Sequence, residues 1–493
     1  MRTGLVLDVR AQGARGDGIA LDGPVIAAAL AAAHRAGGGI VLLPPGIYRS
    51  FSLQLPSRVT LAIETGATLL AAMPGPDGGY DLPEDRGPQL YQDFGHSHWH
   101  NSLIWAEDAE DIAIVGQGRI DGQGLTRNGP GTPWSAQRGE RPLSMATMAP
   151  ADVARLEQDA AAMRGQGNKA IALARCRRVT IADLTIFRAG HFAILASEVE
   201  DLRCTGLTID SNRDGIDLDG VRRATVSRCR VNTPNDDAIV LKTSLALGRT
   251  TCEDVTIEDC SVSGYDLGTL LDGSHGRTQQ RSPDRDRVTG RIKLGTESNG
   301  DFRRIHIRNC RFARSRGLAI ESVDGGVIEA IRAENLTMDE VTTAPLFLRL
   351  GARLRGPEGT GIGAIRDIAV HGVAATGIDP RFAAILAGLP DHPIEGVRLS
   401  DIDLRFDGRL EGAFPAAPPE LADAYPEPSM FGPTPAWGLW ARHVRGLAAT
   451  DLSLRRSGAD PRPPILLDDA GDARIGFDVD APHRYHIVHS NST

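Results

Sequence analysis

The sequence predicts an all-β fold, a single-domain right-handed parallel β-helix, and two observations support this prediction. Short runs of alternating β-branched or Leu residues recur about ten times, in units of roughly 20 to 30 residues, which is typical of a solenoid. A polar or Gly break divides each unit into two runs, as in RVTIADLTI from 178 and DVTIEDCSV from 254. These breaks come before two helical turns can be completed, which argues against a helical repeat.

The N-terminal end of the solenoid is predicted to carry a capping helix. Residues 23–36, GPVIAAALAAAHRA, are apolar and helical in pattern, and such a helix would cover the exposed edge of the first coil. We expect one domain over 1–493, with inserted loops at about 125–170 and 405–436. The first insert contains a second helical pattern at 150–164, and the second insert is rich in proline.

Composition and charge indicate which classes of binding partner are not expected for this protein. Hydrophobic residues make up 41% of the 493 residues and the formal net charge is −9, so neither nucleic acid nor a membrane surface is an expected partner. The sequence contains no run of about 18 apolar residues, so no membrane span is predicted. The residues after Met1 show no secretory-leader pattern, which leaves a cytoplasmic protein or one whose leader has been removed. The oligomeric state is not predicted.

Six cysteines are present, and no two of them form a CxxC pair. A zinc site built on cysteine is therefore poorly supported. Their surroundings repeat one local pattern, which favours small buried residues at equivalent places in stacked coils over disulfide bonds. The six positions are Cys176, Cys204, Cys229, Cys252, Cys260 and Cys310.

The stretch from 211 to 243 aligns with itself at an offset of 23 residues. Ile216 and Leu218 recur as Ile239 and Leu241, so these four side chains should point inward on neighbouring coils. The intervening side chains should then point outward, and they are Asp217, Asp219, Val240 and Lys242.

The same alignment brings three carboxylates together outside the core. Asp214 and Asp237 occupy matched turn positions one coil apart, and Asp236 lies beside them, so the three should share a patch about 5 to 10 Å wide. Close like charges raise at least one pKa, and glycoside hydrolysis needs a protonated acid beside an ionised base. Two other interpretations stay open, namely turn-forming Asp residues and a calcium site. We predict no cofactor and no metal.

The motifs around these aspartates resemble those of the polygalacturonase-type enzymes, the family 28 glycoside hydrolases. Asn212-Arg213-Asp214-Gly215 is similar to the family pattern Asn-Thr-Asp-Gly, and Asn235-Asp236-Asp237-Ala238, followed by Lys242, is similar to Gly-Asp-Asp-Cys. Further matches are GARGDG at 13–18, LPPGIY at 43–48, the segment 102–124 and GTESNGDF at 295–302.

The resemblance implies specific roles for these residues. Asp236 would be the general acid, while Asp214 and Asp237 would position and deprotonate the attacking water. An inverting reaction is also implied, for which we expect roughly 6.5 to 9.5 Å between acid and base. Residues of the matched motifs that we expect to bind substrate are Asn212, Lys242 and Glu297.

The resemblance stops at two further motifs of the family. Val288-Thr289-Gly290 stands where the family has Gly-His-Gly, and Ala319-Ile320-Glu321 stands where it has Arg-Ile-Lys, which holds the galacturonate carboxylate. Arg291-Ile292-Lys293 has the letters of the second motif but lies one coil too early, so we do not assign it. Glu321 near the site favours sugar hydroxyls over a uronate.

Other residues are candidates for the sugar cleft. Arg349 and Arg353 present forked donors that suit a carboxylate, although a solvated basic turn is the alternative. His98, Trp99 and His100, in GHSHWHNSLIW, are expected to line the cleft together with His191. For His191 the alternative is a buried structural role. His96, His98 and His100 could also be zinc ligands, but no fourth ligand is evident.

The sequence therefore predicts an exo-acting, inverting glycoside hydrolase with a pectin-like or related polysaccharide or oligosaccharide as its partner. Exo action is expected because the two inserts could wall off one end of the groove. A β-helix polysaccharide lyase, a non-catalytic glycan-binding β-helix and a hydrolase of small glycosides remain as alternatives.

Overall fold

The computed structural model describes residues 4–85, 91–127, 163–284, 286–408, 410, 414–415, 417–479 and 487–490. Most of the first insert lies outside these residues, as does the helical pattern at 150–164 except for its last two positions. The second insert is described apart from residues 409, 411–413 and 416.

Within the described residues, the strands stack in parallel into two long sheets, which confirms the predicted parallel β-helix. The larger sheet has 24 strands: Val6–Asp8, Asp17–Leu21, Gly39–Leu43, Gly46–Ser50, Val59–Ile63, Ala67–Ala71, Glu110–Val115, Arg119–Asp121, Arg177–Ala182, Thr185–Phe187, Glu200–Thr205, Thr208–Asp210, Arg222–Ser227, Arg230–Asn232, Thr251–Glu258, Ser261–Ser263, Asp301–Arg308, Arg311–Ser315, Val327–Val341, Ala364–Ile378, Ile394–Phe406, Val444–Arg445, Ala448–Arg456 and Arg474–Val479. The smaller sheet has 13 strands: Leu53–Gln54, Ser102–Glu107, Lys169–Ala174, Phe192–Ser197, Ile216–Asp219, Ile239–Thr243, Ile292–Ser298, Leu318–Ser322, Leu346–Leu350, Ala384–Ala387, Leu439–Arg442, Ile465–Asp468 and Ile487–Ser490.

The predicted capping helix is present at Gly23–Arg35. Its apolar face is buried, and it packs against the strand Gly39–Leu43 of the first coils. The preceding Asp22 accepts backbone hydrogen bonds from Arg15 and Gly16, which fixes the entry into the helix. Three short helical segments are also described, Phe94–Ser97, Thr269–Asp272 and the 3-10 turn Pro428–Phe431. None of the described helices is long and apolar enough to cross a membrane.

The predicted register of the central coils is confirmed. Ile216 pairs with Ile239 and Leu218 pairs with Leu241, and all four side chains lie in the apolar core. Side chains of alternate positions therefore stand on the outer face of the smaller sheet, where the polar residues of the site gather. The six cysteines are buried and form no disulfide, as expected.

Candidate active site

Asp214 and Asp237 immediately precede the neighbouring strands Ile216–Asp219 and Ile239–Thr243 of the smaller sheet. The backbone of Gly215 donates to the carbonyl of Asp237 at 3.1 Å, which locks the two turns together. One carboxylate oxygen from each of Asp214, Asp236 and Asp237 lies within 4.8 Å of the others. This is closer than the expected acid-to-base separation, because the residues sit on adjacent coils that are only about 4.8 Å apart.

Asp214 is the carboxyl group of the cluster that favours its protonated form. It is buried, and its Oδ2 lies 3.8 Å from the Lys242 ammonium. Its Oδ1 accepts no hydrogen bond from the residues that the structure describes. Burial first, and then the neighbouring charge of Asp236, raise the pKa of Asp214 well above its usual range.

Asp236 is the most exposed of the three carboxylates, with 24% of its side chain accessible. Its Oδ2 pairs with the Arg213 guanidinium at 2.7 Å. Burial has the largest single influence on the pKa of Asp236 and would raise it, but the charges of Arg213, Lys242 and Lys293 together lower the pKa. The lowered pKa favours the ionised form of Asp236, whereas the predicted role of general acid requires its protonated form.

Asp237 is held by two cations that sequence reasoning left unassigned. Arg291 donates to its Oδ1 from Nε at 2.7 Å, and the Lys293 ammonium lies 3.0 Å from its Oδ2. Although burial opposes ionisation, these charges lower the pKa of Asp237. The strand Ile292–Ser298 is one coil beyond Asp237 and one coil before Leu318–Ser322, as the sequence predicted. Arg291 and Lys293 point outward on either side of the inward-facing Ile292, and this brings both cations to Asp237.

Lys242 lies within an ion-pair network beneath the aspartates. Its ammonium is 2.7 Å from Asp217 Oδ2 and 2.7 Å from His96 Nε2. Asp217 is fully buried, and burial raises its pKa to about 6 despite this contact. His96, from the short helix Phe94–Ser97, is held in turn by Asp93 at 2.6 Å. Lys242 is only 5% exposed and contacts Asp214 and Asp217, and its binding of substrate stays a prediction.

The residues His98, Trp99 and His100 do not form the expected sugar platform. Trp99 is 0% exposed, and its indole donates to Ser197 Oγ at 3.0 Å, so it offers no face to a sugar ring. His98 stacks on Phe94 with ring centroids 4.3 Å apart. His100 pairs with Glu107 at 2.7 Å. The strand-like spacing was misleading, because this segment begins with a helical turn capped by Asp93.

His191 precedes the coil of Asp214 and lies beside the network of His96. Its ring stacks on Phe192 with centroids 4.2 Å apart and meets His96 edge-on at 5.8 Å. Burial lowers the pKa of His191 well below its usual range, so its imidazole is neutral. Asn212, also expected at the cleft, is exposed at the turn before Asp214.

The predicted arginine pair does not face the aspartates as free donors. Arg349 is buried and donates to the carbonyls of Glu420 and Leu421, which anchors the second insert to the coil. Arg353 is fully buried and bonds to the Asp324 carboxylate. Both guanidiniums therefore have partners within the chain, although Nη1 of Arg353 is buried without one among the described residues. The expectation that this pair replaces the missing Arg-Ile-Lys motif stays a prediction.

The two predicted glutamates lie in the cation network rather than on an open surface. Glu297 is 3.8 Å from Lys242 and 3.7 Å from Arg353. Glu321 is 0% exposed, accepts from Thr296 Oγ1 at 3.0 Å and lies 3.7 Å from Lys293. Since Glu321 is sealed from solvent, it cannot meet sugar hydroxyls directly in this conformation.

The second insert adds residues that sequence reasoning did not single out. Glu427 accepts two bonds from the Arg291 guanidinium, at 2.6 and 3.0 Å, and lies 3.1 Å from Arg316. The Tyr425 hydroxyl is 3.3 Å from Thr296 Oγ1. This segment therefore closes over the C-terminal side of the carboxylate cluster.

Comparisons with known proteins find polygalacturonases among the proteins that this chain resembles. No protein-family model matches the chain. A polygalacturonase of Chamaecyparis obtusa is 24% identical over 327 residues, which cover 63% of this chain and 53% of that protein. A polygalacturonase of Juniperus ashei is 25% identical over 187 residues, which cover 36% of this chain and 31% of that protein. The chain thus spans about half, or less, of the curated relatives it matches.

Solved structures give the same fold. A hyperthermoactive exopolygalacturonase from Thermotoga maritima superposes with a TM-score of 0.58 at 20% identity, covering 82% of this chain and 87% of that one. A family 28 exopolygalacturonase from Yersinia enterocolitica superposes with a TM-score of 0.60 at 15% identity, covering 99% of this chain and 78% of that one. The chain is polygalacturonase-like.

Among the residues that the structure describes, two groups of side chains at this site have ligand atoms close enough to hold a cation. In the group of His96, Asp214 and Asp217, the Lys242 ammonium already lies within bonding distance of His96 and Asp217, so a positive charge is supplied by the chain. The other group is the cluster of Asp214, Asp236 and Asp237. Calcium at that cluster stays an alternative prediction.

Glu321 makes the stability of this polygalacturonase-like chain depend on pH. Burial raises its pKa from 4.5 to about 7. A carboxyl group whose pKa is higher in the folded than in the unfolded protein destabilises the fold as it ionises. The free energy of unfolding therefore falls as the pH rises from 4.5 to about 7, here by on the order of 3 kcal/mol. Urea unfolding at pH 5 and pH 8 should show this fall in the wild type and a smaller fall in Glu321→Gln. An equal fall in the free energy of unfolding of both proteins would show that Glu321 is not its cause.

Proposed function

We propose that this chain is an exo-acting, inverting glycoside hydrolase that cleaves a pectin-like or related polysaccharide or oligosaccharide. One observation carries the proposal: a carboxyl that favours its proton, Asp214, lies with two ionised carboxylates, Asp236 and Asp237, within 4.8 Å. Glycosidic cleavage needs a proton donor and a base at one place. The curated relatives named polygalacturonase support the same class of reaction.

Asp236 is proposed to meet the glycosidic oxygen, because it is the only one of the three carboxylates that is not buried. In the resting site the proton that Asp214 and Asp236 share resides on Asp214, and Arg213 holds Asp236 ionised. When a sugar turns Arg213 aside, Asp236 loses its stabilising charge and takes up the proton, which it then passes to the leaving oxygen. Asp237, held ionised by Arg291 and Lys293, accepts a proton from water, whose hydroxide oxygen bonds to the anomeric carbon.

Exo action is supported by the second insert. Arg349 anchors this segment through the carbonyls of Glu420 and Leu421, and Tyr425 and Glu427 then cover the coils next to Asp237. A groove blocked on this side accepts the end of a glycan more readily than its middle.

Inversion rests on the resemblance, and the short spacing of the carboxylates is the observation against it, since retention is associated with about 5 to 5.5 Å. NMR of the first-formed sugar, recorded before mutarotation, should show an inverted anomeric configuration. A product that keeps the configuration of the substrate would make one aspartate a nucleophile.

A screen of aryl glycosides and pectic oligosaccharides tests the proposed function. We expect new reducing ends without unsaturated products. Ultraviolet absorbance from an unsaturated sugar would instead identify a lyase, and glycan binding without turnover in the presence or absence of calcium would identify a binding protein.

A further inference from the structure

The cations beside Asp237 are all engaged by carboxylates of the chain itself. Arg291 uses Nε for Asp237 and both terminal nitrogens for Glu427. Lys293 lies 3.0 Å from Asp237 and 3.7 Å from Glu321. We call these positions, on the C-terminal side of Asp237, the Arg291 subsite, because the proposed function places a sugar next to Asp237.

Arg316 completes the Arg291 subsite and is likewise engaged. It meets Glu427 at 3.1 Å and Asp284 at 2.9 Å, and it also donates to the carbonyl of Arg287. Arg291 and Arg316 are each 1% exposed, so neither guanidinium reaches solvent around Glu427. The Glu427 carboxylate therefore bridges two buried guanidiniums.

The bidentate contact between Glu427 and Arg291 has the geometry by which an arginine binds the carboxylate of a ligand. A uronate could take this place only by expelling Glu427, and the expelled carboxylate would lose two charged partners. A buried charge that loses its partners is costly. A neutral sugar avoids this cost, because its hydroxyls can form hydrogen bonds without displacing Glu427 from its ion pairs.

We infer that Glu427 occupies the position of a sugar carboxylate and that the Arg291 subsite therefore accepts a neutral sugar rather than a uronate. The inference rests on the proposed function for its placement next to the point of cleavage. The inference itself concerns the binding of sugars and does not require that they are cleaved. The glycan would then be one that offers a neutral residue at this subsite, while uronates elsewhere along the glycan are not affected.

Binding of single sugars measures the preference directly. Galactose, rhamnose, xylose and arabinose would be titrated against galacturonate and glucuronate by NMR or calorimetry, with the wild-type protein at neutral pH. At least one neutral sugar should bind tighter than both uronates. Tighter binding of either uronate to the wild type would overturn the inference, and so would binding of none of the neutral sugars.

The variant Glu427→Gln should reverse this order. Gln keeps the size of the side chain but leaves the Arg291 and Arg316 charges available, so uronate affinity should rise by about tenfold or more, while neutral-sugar affinity changes little. Glu420→Gln is the matched control, because Glu420 lies in the same insert but pairs with Arg442 and His443. Unchanged uronate affinity in a folded Glu427→Gln protein would overturn the inference. If that variant does not fold, the wild-type preference decides alone.

Turnover separates this inference from the proposed function. A protein that cleaves uronides in preference to neutral glycosides would refute the inference while keeping the hydrolase. A protein that binds neutral sugars in the predicted, Glu427-dependent order but releases no product would refute the hydrolase while keeping the inference.

Discussion

Replacement of Asp236 by Asn should lower turnover by about 10² to 10⁴, the usual contribution of a positioned acid or base. Asn has nearly the same shape but cannot carry the proton that the leaving oxygen needs. The loss should be smallest for aryl glycosides with good leaving groups, since these need little protonation. Initial rates across a series of leaving groups measure both effects. Wild-type rates in the variant would remove Asp236 from the reaction.

The fold should survive this change, because Asp236 is partly exposed and its ion pair with Arg213 lies at the surface of the cluster. Asp183→Asn serves as the matched control. Asp183 is an exposed turn residue with a φ of 62°, a backbone conformation that Asn tolerates well. The control should keep both the wild-type rate and the wild-type stability.

Replacement of Asp237 by Asn should damage both stability and activity. Arg291 and Lys293 are buried against this carboxylate, and removing one partner of a buried pair costs about 3 to 5 kcal/mol. Turnover should also fall by about 10² to 10⁴, since the proposed base is lost. Urea unfolding and initial rates measure the two effects separately.

The double variant Asp237→Asn/Lys293→Met distinguishes the two roles. Removing Lys293 together with its partner eliminates one uncompensated buried charge, so much of the lost stability should return. Activity should not return, because the carboxylate is still missing. A double variant that regains turnover would show that Asp237 only balances charge.

The register of the central coils could be predicted from sequence because it depends on local repetition. Ile216 and Ile239 recur at one offset, and the two-residue period of a strand then fixes which side chains point outward. Asp214, Asp236 and Asp237 fall together for that reason. Arg291 and Lys293 obey the same alternation around Ile292, but they were set aside because the family motif stands one coil later.

Other parts of the site could not be predicted from the repeat. Glu427 comes from an insert that obeys no period, and its approach to Arg291 depends on tertiary packing. His96 lies on a helical turn within an irregular segment, where the alternating histidines suggested a strand. The buried state of Trp99 and Arg349 likewise depends on which segments cover them, and this information is absent from the pattern of their own neighbours.

The most direct test of the account is a reaction in water enriched in oxygen-18, followed by mass spectrometry of the products. The account predicts that the heavy oxygen enters the newly formed reducing end, that no unsaturated sugar appears, and that Asp236→Asn and Asp237→Asn form the labelled product about 10² to 10⁴ times more slowly while Asp183→Asn forms it at the wild-type rate. An unlabelled, unsaturated product, or labelled product formed at the wild-type rate by the two site variants, would contradict hydrolysis by this carboxylate cluster.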